Sequence, residues 1–413
     1  MADQKPDKSR PQKPGRRPRR WFLFYPLDLL ARFWPVFGKK RGVLVVRIDG
    51  IGDMVLFHPA FAHYAQALGV APGDITILGC RSWAALAPAF FAGIKFHAID
   101  EHAYDRSPLY RFKVSLWLRR QNFAVALLDS FMRKPLVADS LIYVSAAATS
   151  IVAKPYLSAK TQRLFDWYLA RCQRVIDTGP HPTHEIPRHF TFVSALAGKA
   201  IAPEPPRLPW RENVPALKRP YAIINFGANE PGRRWGFENF LAVARDLAQR
   251  GLTVAFVGGP AEADYKNRLG GEGFVDLIGA TTLDDLLDLL RHAALVVTNE
   301  TGPAHLAIGL GAPTVTVLGG GQFGGWMPFP PEAAPPRERV VYRRMPCYGC
   351  LWNCTQPHRR GGAYPCVAAV EIADVISAAA ELLPEANKLV VPAQAGTQGN
   401  STALTSGFPL TRE

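Results

Sequence analysis

The feature that most constrains the fold is an alternation of short apolar runs with longer helix-like stretches, which occurs twice along the chain. The apolar runs are rich in β-branched residues and have the length of buried strands. In the first series, strands are predicted at residues 42–48, 75–78, 95–99 and 124–128. Strands that alternate with helices indicate an α/β fold whose parallel sheets are covered on both faces.

The second series follows a stretch rich in proline. Six prolines fall between residues 203 and 220, a composition typical of an interdomain linker, and the alternation is already loose from residue 150. Strands are then predicted at 221–225, 252–257, 275–277, 293–297 and 314–318, with helices at 237–249, 261–268, 283–291 and 304–310. The chain of 413 residues is long enough for two such domains, each with its own core.

These boundaries predict an N-terminal domain at 42–202, a linker at 203–220 and a C-terminal domain at 221–384. A basic tail and amphipathic segment at 1–41 precede them, and a tail at 385–413, rich in small polar residues towards its end, follows. A helix is predicted at 371–383, where the second domain closes. In open parallel sheets, ligands bind at the carboxyl ends of the strands, so we expect a ligand cleft between the two domains.

The most informative motif is the run TNETGPAHL at residues 298–306. A predicted strand leads into it, and a helix with Pro303 in its first turn follows it. The backbone N–H groups at such a helix start bind anions, Thr301 adds a hydroxyl, and Glu300 can accept hydrogen bonds from sugar hydroxyls. A phosphate beside a carboxylate suits a sugar nucleotide. The alternative is an ordinary strand–turn–helix junction in which Thr301 only caps the helix.

A second motif follows the first predicted strand, where a glycine turn at residues 49–52 precedes Asp53. A carboxylate at such a turn can act as a general base, and Asp53 is our candidate for that role. Its alternative role is to cap the helix that begins there. Pro59 would kink this helix or move its start to a later residue.

A diphosphate leaving group needs positive charge nearby. Arg233 and Arg234 follow a predicted strand and are candidates for bidentate contacts to phosphate, although both could equally be solvated loop charges. Gly258 ends another predicted strand, where it either lets a nucleotide approach the backbone or forms a simple tight turn.

Three motifs in the same order resemble glycosyltransferase family 9, the ADP-heptose:lipopolysaccharide heptosyltransferases. These are Arg47-x-x-x-Ile51-Gly52-Asp53, then Asn225-Phe226-Gly227-Ala228 followed by Arg233-Arg234-Trp235, and then Asn299-Glu300-Thr301-Gly302-Pro303-x-His305-Leu306. His184-x-x-x-Arg188 also has a counterpart in that family. The resemblance spans residues 42 to about 384. At position 300 the family usually has Asp, so the longer Glu300 leaves the donor sugar open.

The resemblance implies a GT-B fold, in which two Rossmann-like domains with parallel sheets face each other across a cleft. It also implies an inverting transfer of heptose from ADP-heptose to a lipopolysaccharide-core acceptor, with no cofactor or metal required. Asp53 is then catalytic, and Arg47, Gly52 and His58 are acceptor-binding. The implied donor-binding residues are Asn225, Gly227, Arg233, Arg234, Gly258, Glu300, Thr301, Gly302 and His305. The alternatives are a transferase for another nucleotide sugar and a non-catalytic protein that binds sugar nucleotides or glycans.

Two further stretches lack a clear catalytic role. The glycine-rich residues 319–325 are not a dinucleotide fingerprint because no clear helix follows, and we expect a mobile loop over the cleft.

Four cysteines are spaced for zinc or disulfides, namely Cys347, Cys350, Cys354 and Cys366. Reduced thiols are the first expectation in a cytoplasmic enzyme, and zinc is a weak candidate. His181 and His184 could join a metal site, but a role at a helix start is the stronger interpretation.

The net charge is concentrated at the N-terminus, where residues 1–41 carry +9 of the total +14. This excess predicts an anionic partner for the tail and not a nucleic-acid partner for the whole surface. Residues 1–20 should be disordered. Residues 21–37 contain many aromatics but also two charges and two prolines, too few apolar residues for a membrane span.

Segment 21–37 has basic residues on both sides, as in helices that lie in a lipid interface. Asp28 and Arg32 are four residues apart and share one face of such a helix. We therefore predict peripheral attachment to the cytoplasmic face of the inner membrane. The alternatives are a segment packed on the folded body and, less favoured because a cleavage site is missing, a twin-arginine export signal.

Overall fold

The computed structural model describes residues 19–269 and 271–384. Its first sheet has six parallel strands in the order β3-β2-β1-β4-β5-β6. They are β1 (Val43–Arg47), β2 (Ile75–Cys80), β3 (Lys95–Ile99), β4 (Val125–Leu128), β5 (Thr149–Ala153) and β6 (Arg174–Ile176). The buried β1 lies in the middle, paired with β2 on one side and β4 on the other.

Helices cover both faces of this sheet. They are α1 (Arg19–Arg32), α2 (Ile51–Phe61), α3 (Tyr64–Leu68), α4 (Ala87–Phe90), α5 (Glu101–Arg106), α6 (Pro108–Arg120), α7 (Ser140–Ser145), α8 (Gln162–Leu169) and α9 (Glu185–Ala197). The predicted helix after the glycine turn is α2, and it begins at Ile51, so Asp53 lies in its first turn. Pro59 is accommodated inside α2 and does not delay its start. Because proline has no N–H, it removes one helical hydrogen bond, and α2 ends two residues later.

The second sheet repeats the topology of the first, with six parallel strands in the order β12-β11-β10-β7-β8-β9. They are β7 (Tyr221–Asn225), β8 (Thr253–Gly258), β9 (Val275–Ile278), β10 (Leu295–Asn299), β11 (Thr314–Val317) and β12 (Glu338–Val341). Its helices are α10 (Phe237–Gln249), α11 (Leu283–Arg291), α12 (Gly302–Gly309), α13 (Pro365–Ala368) and α14 (Ile372–Leu382). Numbered within each half, both sheets have the doubly wound order 3-2-1-4-5-6. The predicted α/β fold of two Rossmann-like domains is therefore confirmed.

The predictions from the sequence missed several strands and misjudged one helix. β5, β6 and β12 were not predicted, because β5 begins with two hydroxyl residues, β6 has only three residues and β12 is half-buried at a sheet edge. The helix predicted at 261–268 is a 3₁₀ helix, Pro260–Arg268. The predicted domain boundaries remain a prediction, although residues 203–220 contain neither helix nor strand.

The two domains meet where α2 packs against α12. Three glycines allow the close approach. A Cβ atom at Gly52 would lie 2.8 Å from the ring of His305, and one at Gly302 would lie 3.3 Å from Ile51. A Cβ atom at Gly309 would lie 2.8 Å from Leu208, whose amide donates to the Gly309 carbonyl over 2.8 Å. The linker therefore also packs into this interface.

Helix α1 packs on the first domain through the side that carries Asp28. Asp28 is buried and accepts two hydrogen bonds from Arg111 on α6, at 2.7 and 2.6 Å. Trp21, Phe24 and Ala31 are buried beside this ion pair. The alternative of a segment that packs on the folded body is thus confirmed for α1. Arg19 and Arg20, expected to be disordered, form its first turn.

The opposite side of this segment is apolar and exposed. Phe33 is 73% exposed and Phe37 is 92% exposed, and the other large apolar side chains on this side are Phe22, Leu23, Leu30 and Trp34. No helix among residues 19–269 and 271–384 is long and apolar enough to cross a membrane. The predicted tails at residues 1–18 and 385–413 lie outside the described residues.

Candidate functional site

Each doubly wound sheet has a switch point, where the chain leaves two adjacent strands in opposite directions, and ligands bind in the crevice beside it. In the first sheet the switch point lies between β1 and β4, and Asp49, Asp53 and Asp129 follow these strands. In the second it lies between β7 and β10, followed by Gly227 and residues 300–302. The predicted catalytic residue and most of the predicted donor residues therefore lie at the two switch points.

Arg47 organises the first switch point from inside the protein. Its guanidinium contacts the Asp129 carboxylate at 2.6 Å and the Asp49 carboxylate at 2.9 Å, and it donates to the Asp53 carbonyl over 3.2 Å. It also lies 4.3 Å from the centre of the Phe57 ring. Burial alone would lower the pKa of Arg47, but the surrounding carboxylates raise it above its usual value. Because the side chain is 1% exposed, the predicted acceptor contact of Arg47 is replaced by a role in holding the turn.

The carboxylates around Arg47 differ in protonation. Burial alone would raise the pKa of Asp129, but Arg47 and His189 hold it below its usual range. Tyr64 and His189 each contact the same Asp129 oxygen at 2.9 Å. Burial raises the pKa of Asp49 to about 7 although Arg47 opposes it. Burial, and then the neighbouring Asp53, raise the pKa of Glu185 to about 8.

Asp53 is half-buried, and both of its carboxylate oxygens are hydrogen-bonded. Oδ2 accepts from the Gly50 amide over 3.1 Å, so Asp53 does cap α2. Oδ1 accepts from the indole N–H of Trp326 over 2.6 Å, and Trp326 belongs to the other domain. The capping role and a position in the cleft therefore coexist in the same side chain.

The turn after β10 is held by the amide side chains of two asparagines. Asn225 donates to Thr298 over 2.9 Å and to the Thr301 hydroxyl over 3.4 Å. Asn299 donates to the Phe226 carbonyl over 2.8 Å and accepts from the Trp235 amide over 3.0 Å. Because Asn225 is buried under this turn, the structure gives it a supporting position behind the predicted donor site.

Thr301 occupies the cap position of α12, but its hydroxyl donates back to the Asn299 carbonyl over 3.2 Å and makes no cap bond. The amides of Ala304 and His305 both bond to the Thr301 carbonyl. Since proline has no N–H, Gly302 carries the remaining amide of the first turn. The helix start therefore presents fewer amides to an anion than the sequence motif suggested.

Glu300, Arg233 and His305 form a cluster beside this helix start. Arg233 donates to the Glu300 carboxylate and, over 2.7 Å, to the Glu300 carbonyl. Burial alone would raise the pKa of Glu300, but His305 and Arg233 hold it below its usual range. The His305 ring lies 3.6 Å from Glu300, and neither ring nitrogen finds a hydrogen-bond partner among the described residues. Buried polar atoms without a partner are uncommon in proteins.

Arg234 is also paired, but with a carboxylate that we did not select from the sequence. It contacts Glu262 at 3.2 Å and the Ala228 carbonyl at 2.8 Å. Cβ atoms at Gly227 and Gly258 would lie 3.0 and 3.1 Å from Glu262. Both glycines therefore make room for this side chain.

The cysteine-rich segment packs on the glycine loop that follows β11. Cys347, Cys350, Cys354 and Cys366 line one pocket, and all four are free thiols. The Cys366 sulfur accepts from the Gly320 amide over 3.4 Å, and the rings of Tyr348 and Trp352 lie where Cβ atoms of Gly320 and Gly321 would be. Within the described ranges, no group of three or more His, Cys, Asp or Glu side chains is arranged to hold a metal ion. The weak zinc candidate is therefore not supported.

Two histidines have structural partners. His58 contacts the Phe90 carbonyl at 2.9 Å through Nε2, so this nitrogen is not available to an acceptor. His184 caps α9, because Nδ1 accepts from the Ile186 amide over 3.2 Å while Nε2 donates to the Trp326 carbonyl over 2.7 Å. Burial lowers the pKa of His184 to about 3. The predicted helix-start role of His184 is confirmed.

Sequence reasoning did not select Glu185, Glu262 or Trp326. Glu262 had a detectable signal, since a glutamate three residues after Gly259 fits a capping box, and it accepts from the Gly259 amide over 3.0 Å. Trp326 had none, because its partners are distant in sequence. Glu185 lies three and four residues before Arg188 and His189, a helical spacing that the sequence analysis did not use.

The comparisons with known proteins agree with this geometry. The profile of "Glycosyltransferase family 9 (heptosyltransferase)" matches residues 184–337. Lipopolysaccharide heptosyltransferase 1 of Escherichia coli K12 is 22% identical over 315 residues, which are 72% of this chain and 95% of that protein. A family 9 structure from Veillonella parvula has a TM-score of 0.64 at 15% identity and covers 84% of this chain and 99% of that one. An E. coli heptosyltransferase solved with ADP has a TM-score of 0.58 at 18% identity, covering 72% and 92%.

The buried Glu185 generates a prediction for stability. In the unfolded chain a glutamate loses its proton near pH 4.3, whereas Glu185 keeps it to about pH 8 in the folded protein. The folded state binds the extra proton in this window, so Glu185 makes the wild type less stable as pH rises from about 5 to 8. Glu185→Gln removes this loss. As pH rises from about 5 to 8, its free energy of unfolding relative to that of the wild type should increase by up to about 4 kcal/mol.

Chemical denaturation between pH 5 and 8 measures this difference, with Glu204→Gln, at an exposed glutamate, as the matched control. Parallel stability curves for the wild type and Glu185→Gln would contradict the protonated state of Glu185.

Proposed function

We propose that this chain, which is similar to the heptosyltransferases of glycosyltransferase family 9, transfers a heptose from ADP-heptose to a hydroxyl of a lipopolysaccharide-core acceptor. The proposal includes inversion at the anomeric carbon and requires neither a metal nor a cofactor. The acceptor binds the first domain and the nucleotide sugar binds the second.

The observation that carries this proposal is the contact between two helix starts. The first turn of α2 carries Asp53, and the first turn of α12 belongs to the candidate donor site. A Cβ atom at Gly302 would lie 3.3 Å from Ile51 and 4.0 Å from the Gly52 amide nitrogen. This contact supports the proposal, because a transfer between two bound substrates requires the base and the donor site to lie close together.

In the proposed step, the acceptor oxygen forms a bond to the anomeric carbon while the bond from that carbon to the diphosphate oxygen breaks. The acceptor proton passes to the Asp53 carboxylate, and ADP leaves with the electron pair. The Gly302 amide and the guanidinium groups of Arg233 and Arg234 stabilise the charge that develops on the diphosphate.

The donor proposal uses the second switch point. Thr301 and His305 contact the diphosphate or the sugar, Glu300 accepts hydrogen bonds from sugar hydroxyls, and Gly227 and Gly258 border the nucleotide. The buried His305 supports this assignment, since no described residue bonds its ring nitrogens. Arg47 is buried against Asp129 and His58 Nε2 contacts the Phe90 carbonyl, so Asp53 and Gly52 form the centre of the proposed acceptor site.

The carboxylate of Glu300 is already bonded to Arg233, so the identity of the donor sugar stays open to another nucleotide sugar. Binding of a panel of sugar nucleotides distinguishes ADP-heptose from other donors. Turnover with core oligosaccharides then separates the enzyme from a binding protein of the same fold.

We further propose that the enzyme is cytoplasmic and lies on the inner face of the inner membrane through residues 1–41. The support is the exposed apolar side of the 21–37 segment, formed by Phe22, Phe33 and Phe37 among others, next to the basic residues 39–41. Aromatic side chains insert at the lipid interface while basic ones attract anionic headgroups.

The first test concerns the base. Asp53→Asn keeps the size of the side chain and can still cap α2. A positioned base contributes about 10²–10⁴-fold to the rate. Turnover should therefore fall by that factor, while ADP affinity and melting temperature stay near the wild-type values.

Asp74→Asn, at an exposed aspartate outside the cleft, is the matched control. If turnover of Asp53→Asn stayed within a few-fold of the wild type, Asp53 would be only a cap.

The second test concerns the diphosphate. Arg233→Ala and Arg234→Ala each remove a charge-assisted contact, so ADP binding should weaken by about 1.5–3 kcal/mol in calorimetry. Arg245→Ala in the same domain removes an exposed arginine paired with Glu272 and should leave ADP affinity unchanged. An arginine whose loss leaves ADP affinity at the wild-type value does not belong to the site.

The third test concerns the membrane. The triple change of Phe22, Phe33 and Phe37 to Ser alters only the exposed side of the segment and preserves the Asp28–Arg111 pair. Since burying a phenylalanine side chain contributes about 1.5–3 kcal/mol, sedimentation with anionic vesicles should show binding reduced at least tenfold.

Salt should weaken vesicle binding of the wild type, because the basic residues act through screened electrostatics. Val214→Ser removes an equally exposed apolar side chain in the linker and serves as the control. Binding of the triple variant equal to that of the wild type would refute the attachment.

A further inference from the structure

The candidate base receives a hydrogen bond from the opposite domain. The indole Nε1 of Trp326 donates to Asp53 Oδ1 over 2.6 Å, and the Gly50 amide donates to Oδ2. Trp326 lies in the loop at residues 319–330, which follows β11 of the second domain. Asp53 lies at the first switch point, so this bond crosses the cleft.

The backbone around Trp326 is itself docked on the first domain. The Trp326 carbonyl accepts from His184 Nε2 over 2.7 Å, and the Gly325 carbonyl accepts from the Glu185 amide over 2.8 Å. Next to Trp326, the Met327 side chain is fully buried. Contacts of the neighbouring residues 325 and 327, and of the Trp326 carbonyl, therefore fix the direction of the indole towards Asp53. The loop that was expected to be mobile is held in place at this point.

We propose that Trp326 is a positioning residue for Asp53, whose indole N–H holds the carboxylate in the orientation that receives the acceptor proton. This inference rests on the proposed function, in which Asp53 accepts that proton through the remaining lone pairs of its oxygens. A carboxylate that is held by hydrogen bonds on both oxygens keeps little rotational freedom, so it is already oriented when the acceptor binds. The second domain therefore supplies the group that orients a base on the first domain.

Other titratable groups also face Asp53. Arg47 and Asp49 lie on β1 and the turn after it, Glu185 and His189 lie on α9, and His305 of α12 lies against Gly52. All five residues are retained in variants of Trp326. A difference in kcat between these variants and the wild type therefore reports the side chain at position 326.

Two substitutions separate the N–H group from the bulk of the ring. Trp326→Phe keeps an aromatic side chain but has no donor. Trp326→His loses the six-membered ring but keeps a five-membered ring whose Nε2–H occupies the place of the indole N–H. A packing role predicts that Phe is the milder change, whereas the positioning role predicts that His is.

The measurement is kcat and KM for the acceptor at about pH 8, where an ordinary histidine is neutral, with ADP affinity and melting temperature recorded for each variant. For Trp326→Phe we expect kcat to fall about tenfold, with KM and ADP affinity unchanged. Trp326→His should keep a kcat near that of the wild type. Trp210→Phe is the matched control, because it removes an indole bond of 2.7 Å to the Asp288 carboxylate away from the cleft.

The outcomes are distinguishable. A wild-type kcat in Trp326→Phe, or equal losses of kcat in the Phe and His variants, overturns the role of Trp326 while Asp53→Asn remains inactive. An active Asp53→Asn overturns the proposed base itself. If Trp326→Phe fails to fold, Trp326→His decides alone, since a tenfold loss of kcat in that variant contradicts the inference.

Discussion

The close approach of α2 and α12 is the constraint on which the site depends. Each helix starts at the switch point of its own sheet, so packing the two starts together brings the candidate base and the candidate donor site to one cleft. The approach is possible because Gly52, Gly302 and Gly309 have no side chains at the contact. Glycine is conformationally costly inside helices, so three glycines in one interface indicate that distance matters more here than helix stability.

The charges of the cleft are largely neutralised within the protein. Arg47, Arg233 and Arg234 each contact a carboxylate, namely Asp129, Glu300 and Glu262. Arg47 is inaccessible, but Arg233 and Arg234 are 23% and 27% exposed, and a diphosphate would compete with Glu300 and Glu262 for them. Such pairing keeps flexible arginines near the position that a phosphate would occupy, so less side-chain freedom is lost on binding.

The alternation of apolar and amphipathic segments was sufficient to predict the two Rossmann-like sheets, because buried strands such as β1 and β10 are continuous apolar runs. It failed for β6 and β12, which are short edge strands with partly exposed side chains. The motifs led to Asp53 and Glu300, which lie at the two switch points because both follow strands. They did not lead to Trp326, whose position depends on a contact between the domains. Nor could they indicate that Arg47 is buried or that His58 Nε2 contacts the Phe90 carbonyl, because a motif does not tell where a polar side chain faces.

The segment formed by α1 and residues 33–37 is apolar on two sides, because Trp21 and Phe24 are buried beside the Asp28–Arg111 pair while other aromatic side chains are exposed. Different selections would therefore act on different side chains of this segment. A screen for folding in solution would tolerate changes at Phe33 and Phe37 and reject them at Asp28, where the unpaired Arg111 would remain buried. Growth of cells would add pressure on the aromatic side if it serves the membrane. A mutational scan read by both assays would thus separate the residues that build the enzyme from those that locate it.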